Sequence, residues 1–425
     1  MTTASHLSTQ EVEAIGVELD AIREEILASR GAADAAYIRK VVKVHRYLES
    51  GGRVTLLASI LPPAWLAGTA MLSAAKVLEN MELGHNILHG QWDWMRDPEI
   101  HSTTWDWDNA TPAEDWKHSH NYLHHTFTNI IGKDRDLGYS VLRLSEEQEW
   151  KPYHLGQLGI NALLSAFFQY GIAIYDIELE KVPRGEMSIK QAAGRLGKLW
   201  RKVRPQLVKD YVMWPLLSGP SALTTLAANA TSNLARNVWT HTVIFCGHFP
   251  DGVSQFTEDQ VEGETRGGWY VRQLLGSANL EGSELFHVMT GRLSYQIEHH
   301  LFPDLPSNRY GEIAPRVRKL CERHDLPYTS GRLTHQYATV LRRIAKLSMP
   351  SRPASVEPLA DLDDLVGDPP IEAIRSSRSA STGASRRGGA QTKAGAGRVR
   401  SAGPTASDRT AAPRHNAPAS VHARS

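Results

Sequence analysis

The chain has 425 residues, a formal net charge of +1 and two cysteines, Cys246 and Cys321. That balance makes no global demand for a nucleic-acid partner, and none is expected. Two cysteines exclude a disulfide framework and a thiolate metal site, so buried free thiols in an intracellular chain are expected. Mean hydropathy is negative, which argues against a chain made mostly of membrane and leaves room for a few spans.

Residues 1–50 are patterned as soluble helix with no early apolar run of the signal-peptide kind. Ser8 followed by Glu11 reads as a capping-box start. Residues 54–78, VTLLASILPPAWLAGTAMLSAAKVL, hold no charge before Lys76. At about 20 residues per span they are long enough to cross a bilayer. Pro62 and Pro63 sit near the middle, so a short hairpin over about 54–84 is expected as readily as one straight span. A buried core helix of a soluble protein is the plain alternative.

Residues 155–179 are apolar again, and 181–209 carry Lys198, Arg201, Lys202 and Arg204. Residues 211–247 form the longest apolar stretch, with Gly219-Pro220 as a turn signal and Arg236 as the lone charge. Their length suits a second hairpin of two short spans. Basic residues flank both hairpins and favour the cytoplasmic side. The expected architecture is therefore all-α: two membrane hairpins, about four spans, under a cytoplasmic histidine-rich helical part, with 155–179 lying at the interface. A soluble segment over 1–50, a membrane domain over 51–348 and a disordered basic tail over 349–425 complete it. Both termini are expected in the cytoplasm.

Histidine usage is anomalous. There are 19, and seven fall between His85 and His125. HNILH puts His85 and His89 on one helix face, about 6 Å apart. HSHNYLHH repeats that spacing at His120 and His124, with His125 about 100° further round. QIEHH, far along the chain, brings Gln296, Glu298, His299 and His300. Three clusters, each just off an apolar segment, point to a metal site rather than to core histidines. NVWTH adds Asn237 and His241, with His241 either a ligand or a satisfied interfacial histidine. His248 and His287 stay open, and Asp106, Asp108, Glu114, Asp115 and Glu298 are candidates to orient ligand rings.

The boxes HNILH, HSHNYLHH and QIEHH, interleaved with two apolar hairpins, resemble the integral-membrane fatty acid desaturase family. The strings GHNILHGQWDW, NIIGKDRDLGY, NVWTHTVIFCGHFPDG and YQIEHHLFPDLPSNRY are similar to its actinobacterial acyl-CoA branch, and the likeness covers about 40–345. The resemblance implies two iron ions, O2 as co-substrate and a double bond placed in a long acyl chain. It implies His85, His89, His120, His124, His125, His299 and His300 as ligands, with His241, and a metal-bound water on Asn237. Gln296 stands where many relatives carry histidine, and Arg292 where they commonly carry Asn. No HPGG string of a fused cytochrome b5-like segment occurs, so a separate reductase or ferredoxin-type protein is expected to bring electrons. Trp92, Trp94 and Arg309 are expected near the substrate, Arg309 at the phosphates of a CoA group. A hydroxylase or ketolase with similar boxes, and a non-catalytic metal protein, are the rivals.

Overall fold

In a computed structural model, residues 4–350 are described, so the tail expected over 349–425 lies outside the described residues from Ser351 onward. Helix α1 (Thr9–Ser29) starts at the expected capping box: Ser8 Oγ accepts from the Glu11 amide and Glu11 accepts from the Ser8 amide. Its buried stripe Ile15, Leu19, Ile22 and Ile26 keeps helical spacing and enters the largest apolar core.

The first apolar stretch supplies the turn and second arm of a hairpin whose first arm lies mostly in the segment expected as soluble. Helix α2 (Ala32–Leu56) turns at 57–61 into α3 (Pro62–Leu78). Pro62 and Pro63 do not bend a helix; they begin one, where their missing amides go unneeded. The two helices cross closely at Gly52 and Gly68, since a Cβ on Gly52 would lie 3.1 Å from the Gly68 carbonyl. Past Leu78 the helix widens into a π-helical segment, Glu79–His85.

The 155–179 stretch is not one helix. It becomes α4 (Gln157–Ala166) and α5 (Phe168–Tyr175), and the apolar runs on either side of Phe167 meet at 100°. Next, α6 (Ile189–Val208) continues through a π turn, Lys209–Met213, and Trp214–Leu217 to a corner at Gly219. Helix α7 (Ala222–His248) returns, and α3 packs against both α2 and α7.

Charges lie inside this four-helix layer. Arg53 Nη2 sits 2.6 Å and Lys76 Nζ 2.8 Å from the two oxygens of Asp210. Lys76 and Lys209 both reach Asp108, at 3.2 and 3.1 Å. Because such residues interrupt the apolar runs, no single helix among the described residues is long and apolar enough to cross a membrane.

The remainder carries α8 (Arg266–Leu275), α9 (Gln296–Leu301), α10 (Tyr310–Arg323) and α11 (Leu333–Ser348). Two three-residue strands, Asn279–Glu281 and Ser330–Arg332, pair in parallel and are a small departure from an all-α chain. Tyr270, Leu274, Ile297, Phe302 and Val317 clamp α8, α9 and α10 onto α1. This seats the QIEHH box against the first two. Arg292, in the turn just before it, adopts a left-handed φ of 58° that suits Asn better. It is held by Glu284 and lies over the Tyr37 ring.

Candidate metal centre

The first histidine box begins where a π-helical turn, Glu79–His85, ends, and the second lies mostly on another, Lys117–His124. Such turns are rare and concentrate at functional sites. The wide turn has a local cause at Gly84, where a Cβ would stand 2.8 Å from the Trp107 ring and 2.9 Å from the Glu79 carbonyl.

The rings converge into two groups. His85, His89, His120 and His299 form one, and His124, His248 and His300 the other, each with its ligand atoms within 4.8 Å of one another. Nitrogens bound to one ion at about 2.1 Å stand at most about 4.2 Å apart, so little movement closes either group. His125 lies between them, its ring 4.8 Å from His89, 4.9 Å from His299 and 4.4 Å from His300.

The donor atoms behave as ligands awaiting a cation. His85 Nε2 faces His120 Nε2 at 3.2 Å, and His248 Nε2 faces His300 Nε2 at 3.3 Å. Facing lone pairs repel unless a proton or metal lies between them. His89 Nε2, His299 Nε2 and both nitrogens of His125 are buried without a hydrogen-bond partner. The residues therefore fit an imidazole-bound pair of ions.

Outer contacts fix the rings. Asp134 takes His124 Nδ1 at 3.1 Å, Gln273 Oε1 takes His300 Nδ1 at 3.0 Å, and Asn86 Oδ1 takes His85 Nδ1 at 3.1 Å. Asp136 lies 3.5 Å from His120 Nδ1. The Tyr310 hydroxyl donates to the Phe302 carbonyl and so offers its oxygen to His299 Nδ1, 3.3 Å away. With Nδ1 held as donor, Nε2 keeps its lone pair inward.

Burial pushes His89, His120, His125, His248, His299 and His300 well below the ordinary imidazole range, helped for most of them by neighbouring rings. It pushes His85 to about 4. His124 differs: burial lowers it too, but the Asp134 and Asp136 carboxylates hold it above the ordinary value. Burial pushes Asp136 itself up to about 7, against the pull of His124. Most rings are thus neutral at pH 7 and ready to bind metal.

The structure places several of the expected site residues apart from the two histidine groups. His241 joins neither group: its Nε2 is 3.1 Å from Asn161 Oδ1 and its ring stacks on Phe245. His248, seven residues or two turns further along the same face of α7, stands at the second group. Asn237 donates to the Ala166 carbonyl and accepts from Arg236. Glu298 turns away, accepting from Asn279 and Tyr328. Gln296 does meet the centre, with Nε2 3.0 Å from His248 Nε2.

Nor are the three proposed substrate contacts at the cavity. Trp92 is wholly buried beside Tyr37, Trp94 lies under Arg30, and Arg309 is tied to Asp34 and Glu312. Asp106, Asp108, Glu114 and Asp115 pair with lysines instead. The carboxylates that do orient rings, Asp134 and Asp136, follow the second box in KDRD, a spacing open to notice. Gln273 and Tyr310 had no local signal.

A cavity opens on His85, His120, His124 and His248 and continues between Trp116, Tyr139, Phe168, Ile244 and Phe249. Buried imidazoles beside a cavity with apolar walls suit redox chemistry on an alkyl chain.

The family model for fatty acid desaturases matches residues 62–332. An NADPH-dependent stearoyl-CoA 9-desaturase of Mycobacterium tuberculosis is 46% identical over 352 residues, 82% of each chain. An sn-1 linoleoyl-lipid 6-desaturase of Synechocystis is 25% identical over 309 residues, covering 69% of this chain and 82% of its own. An acyl-lipid (7-3)-desaturase of Rebecca salina is 28% identical over 222 residues, covering 50% of this chain and 48% of its own. With the family match taking in all three histidine boxes, the chain belongs to the fatty acid desaturase family and is an oxidoreductase.

Proposed function

We propose that this enzyme places one double bond in a long-chain acyl-CoA, using O2 and two electrons at a pair of iron ions. The observation that carries the reading is the meeting of two buried imidazole groups at one apolar cavity. His85, His89, His120 and His299 would hold one ion, His124, His248 and His300 the other, with His125 between. Bound there, the irons supply the oxidising power that takes two hydrogens from adjacent methylenes while O2 is reduced to water.

The protein's own contribution is placement. Asp134, Asp136, Gln273 and Tyr310 hold the rings in register. Trp116, stacked on His120 with ring centres 4.5 Å apart, forms a flat wall beside the donors. Apolar walls exclude water and hold one carbon pair at the reacting distance. A CoA thioester is favoured over an acyl lipid because the relative named for stearoyl-CoA is far more similar than those named for lipids. NADPH in that relative's name supports a pyridine nucleotide as electron source, delivered through a separate protein.

Membrane attachment belongs to the same proposal. Outer stripes of the long helices are apolar and exposed: Leu196, Trp200 (57% exposed), Val208, Val212 and Leu216 (72%) along the second hairpin. Residues 196–216 advance about 30 Å, the thickness of a hydrocarbon core. Lys198, Lys202 and Lys209 of the same stretch pair with Asp115, Asp106 and Asp108, while Arg201 and Arg204 are exposed. We read the four spans as the arms of the two hairpins, α2 with α3 and 196–217 with α7, so that each hairpin starts before the expected 54–84 and 211–247, with the bent α4–α5 pair at the interface and the centre on the cytoplasmic side. The expected boundary at 50/51 falls inside α2 (Ala32–Leu56).

Membranes containing the full chain, supplied with stearoyl-CoA, NADPH, a reductase and O2, are expected to yield an alkene. An alcohol product would favour the hydroxylase reading. Purified protein holding zinc and consuming no O2 would sink both.

A further inference from the structure

The second histidine box has an outer side as well as an inner one. On the segment Lys117–His124, His120 and His124 turn inward to the two histidine groups. His118 and Tyr122, each two residues before a ligand, lie on the opposite side of the helix and are exposed. Tyr122 is 57% exposed and its ring stacks on that of His118, with centres 5.8 Å apart. Neither ring has a hydrogen-bond partner among the described residues.

Only the thickness of this one helix, about 10 Å, parts that face from the donor atoms. The other histidine-bearing segments are covered more deeply. Helices α1 and α10 lie outside α9, α2 lies outside the first box, and α4, α5 and α11 pack against α7.

Positive charge surrounds the exposed pair. Lys117 gives its Nζ to the Ser102 carbonyl at 3.1 Å. Ser102 donates to Asp93, which opens a short turn that ends at exposed Arg96. Within that turn, Trp94 lies under the Arg30 guanidinium, 5.7 Å away. Among the described residues none of Lys117, Arg96 and Arg30 is ion-paired. Asp97 is taken by Arg39 at 3.0 Å, and Asp93 has His101 beside it. Three unpaired cations thus stand against one carboxylate.

Desaturation as proposed above converts CH2–CH2 and O2 to CH=CH and two waters. The chain gives up two hydrogens, and two protons and two electrons come from outside. A carrier protein cannot enter the buried centre, so its electrons must tunnel, and tunnelling falls exponentially with distance. The carrier therefore belongs where the cover is thinnest. A central tyrosine with cations around it suits an interface for a partner of opposite charge.

We infer that the face bearing His118 and Tyr122 is the docking site of an acidic one-electron carrier protein, held by Lys117, Arg96 and Arg30. This role rests on the O2-dependent desaturase reading above, and binding tests it apart from turnover.

Full-length, iron-loaded protein in phosphatidylcholine nanodiscs is titrated with an oxidised plant-type two-iron ferredoxin, an acidic carrier. Wild-type Kd is expected to rise about tenfold from low to high salt. Lys117→Glu, Arg96→Asp and Tyr122→Ala are each expected to raise Kd about tenfold at low salt, with iron content unchanged. Asp suits the left-handed φ of 52° at position 96, so that turn is kept. Lys319→Glu, exposed on α10, is expected to leave Kd as it is. In turnover with NADPH, ferredoxin reductase and ferredoxin, the KM for ferredoxin should rise in the same three variants while that for stearoyl-CoA stays constant. Should Lys117→Glu lose its iron, Arg96→Asp and Tyr122→Ala decide. Absent ferredoxin binding by wild-type protein, or an unchanged Kd in Arg96→Asp and Tyr122→Ala, would overturn the docking face. So would a loss in Lys319→Glu as large as in Arg96→Asp. If ferredoxin bound through this face but dithionite-reduced protein formed no alkene with O2 and stearoyl-CoA, the desaturase reading would fail while the docking face stood.

Discussion

His241 and His248 show how a one-face helical pattern misleads by whole turns. They lie seven residues apart on α7 and point the same way, so the choice between them is one of depth. His248→Ala is expected to lower bound metal from two ions toward one, because the second group then keeps only His124 and His300. His241→Ala is expected to retain both. Metal analysis of the two purified variants checks this. Asp134 is the second decisive residue, since its carboxylate takes His124 Nδ1 and the amides of Asn129 and Asp136. Asp134→Asn is expected to cost about 10- to 100-fold in metal affinity or turnover, measured by chelator competition.

The two π turns decide what the boxes present. In a regular helix the i, i+4 spacing of His85 and His89 would still hold, but Gly84 brings Trp107 against the wide turn. Gly84→Val is expected to force that turn open at about 1–3 kcal/mol, read as a lower melting temperature together with lost metal. The clustered rings also make the metal-free protein acid-sensitive. Burial depresses them below the ordinary value of 6.5, so the unfolded chain takes up protons first. Their contribution is intact above about pH 6.5 and is lost as pH falls toward about 4, the value for His85. Melting of metal-free protein at pH 7.5 and pH 5 should show the lower stability at pH 5. Equal stability would contradict it.

Across the whole molecule, Asp210 joins the two hairpins. It meets Arg53 from α2, Lys76 from α3 and Asn233 from α7. Asp210→Asn leaves two buried cations short of their carboxylate, at an expected cost of about 3–5 kcal/mol. Denaturation of the protein in detergent measures it, with Glu24→Gln at the exposed surface as the neutral control.

Much was legible in the chain itself. Histidine type and helical spacing bring imidazoles to one face whatever the tertiary fold, so the three boxes and the all-helical class could be read from residues alone. Apolar runs and turn signals located the turn and second arm of each hairpin, and the Ser8–Glu11 capping box the first helix, by local rules; the first arms, α2 and α6, carry too many charges to be read as spans. What only the tertiary structure decided concerns contacts between distant segments. The pairing of His299 with the first group and His300 with the second depends on α8, α9 and α10 packing onto α1. The backing of those rings by Gln273 and Tyr310, the pinning of Arg309 by Asp34, and the inward charges of the hairpins depend equally on which helix lies against which. Local spacing sets a side chain's direction on its own helix; its depth and its partner are set by neighbours the local sequence does not name.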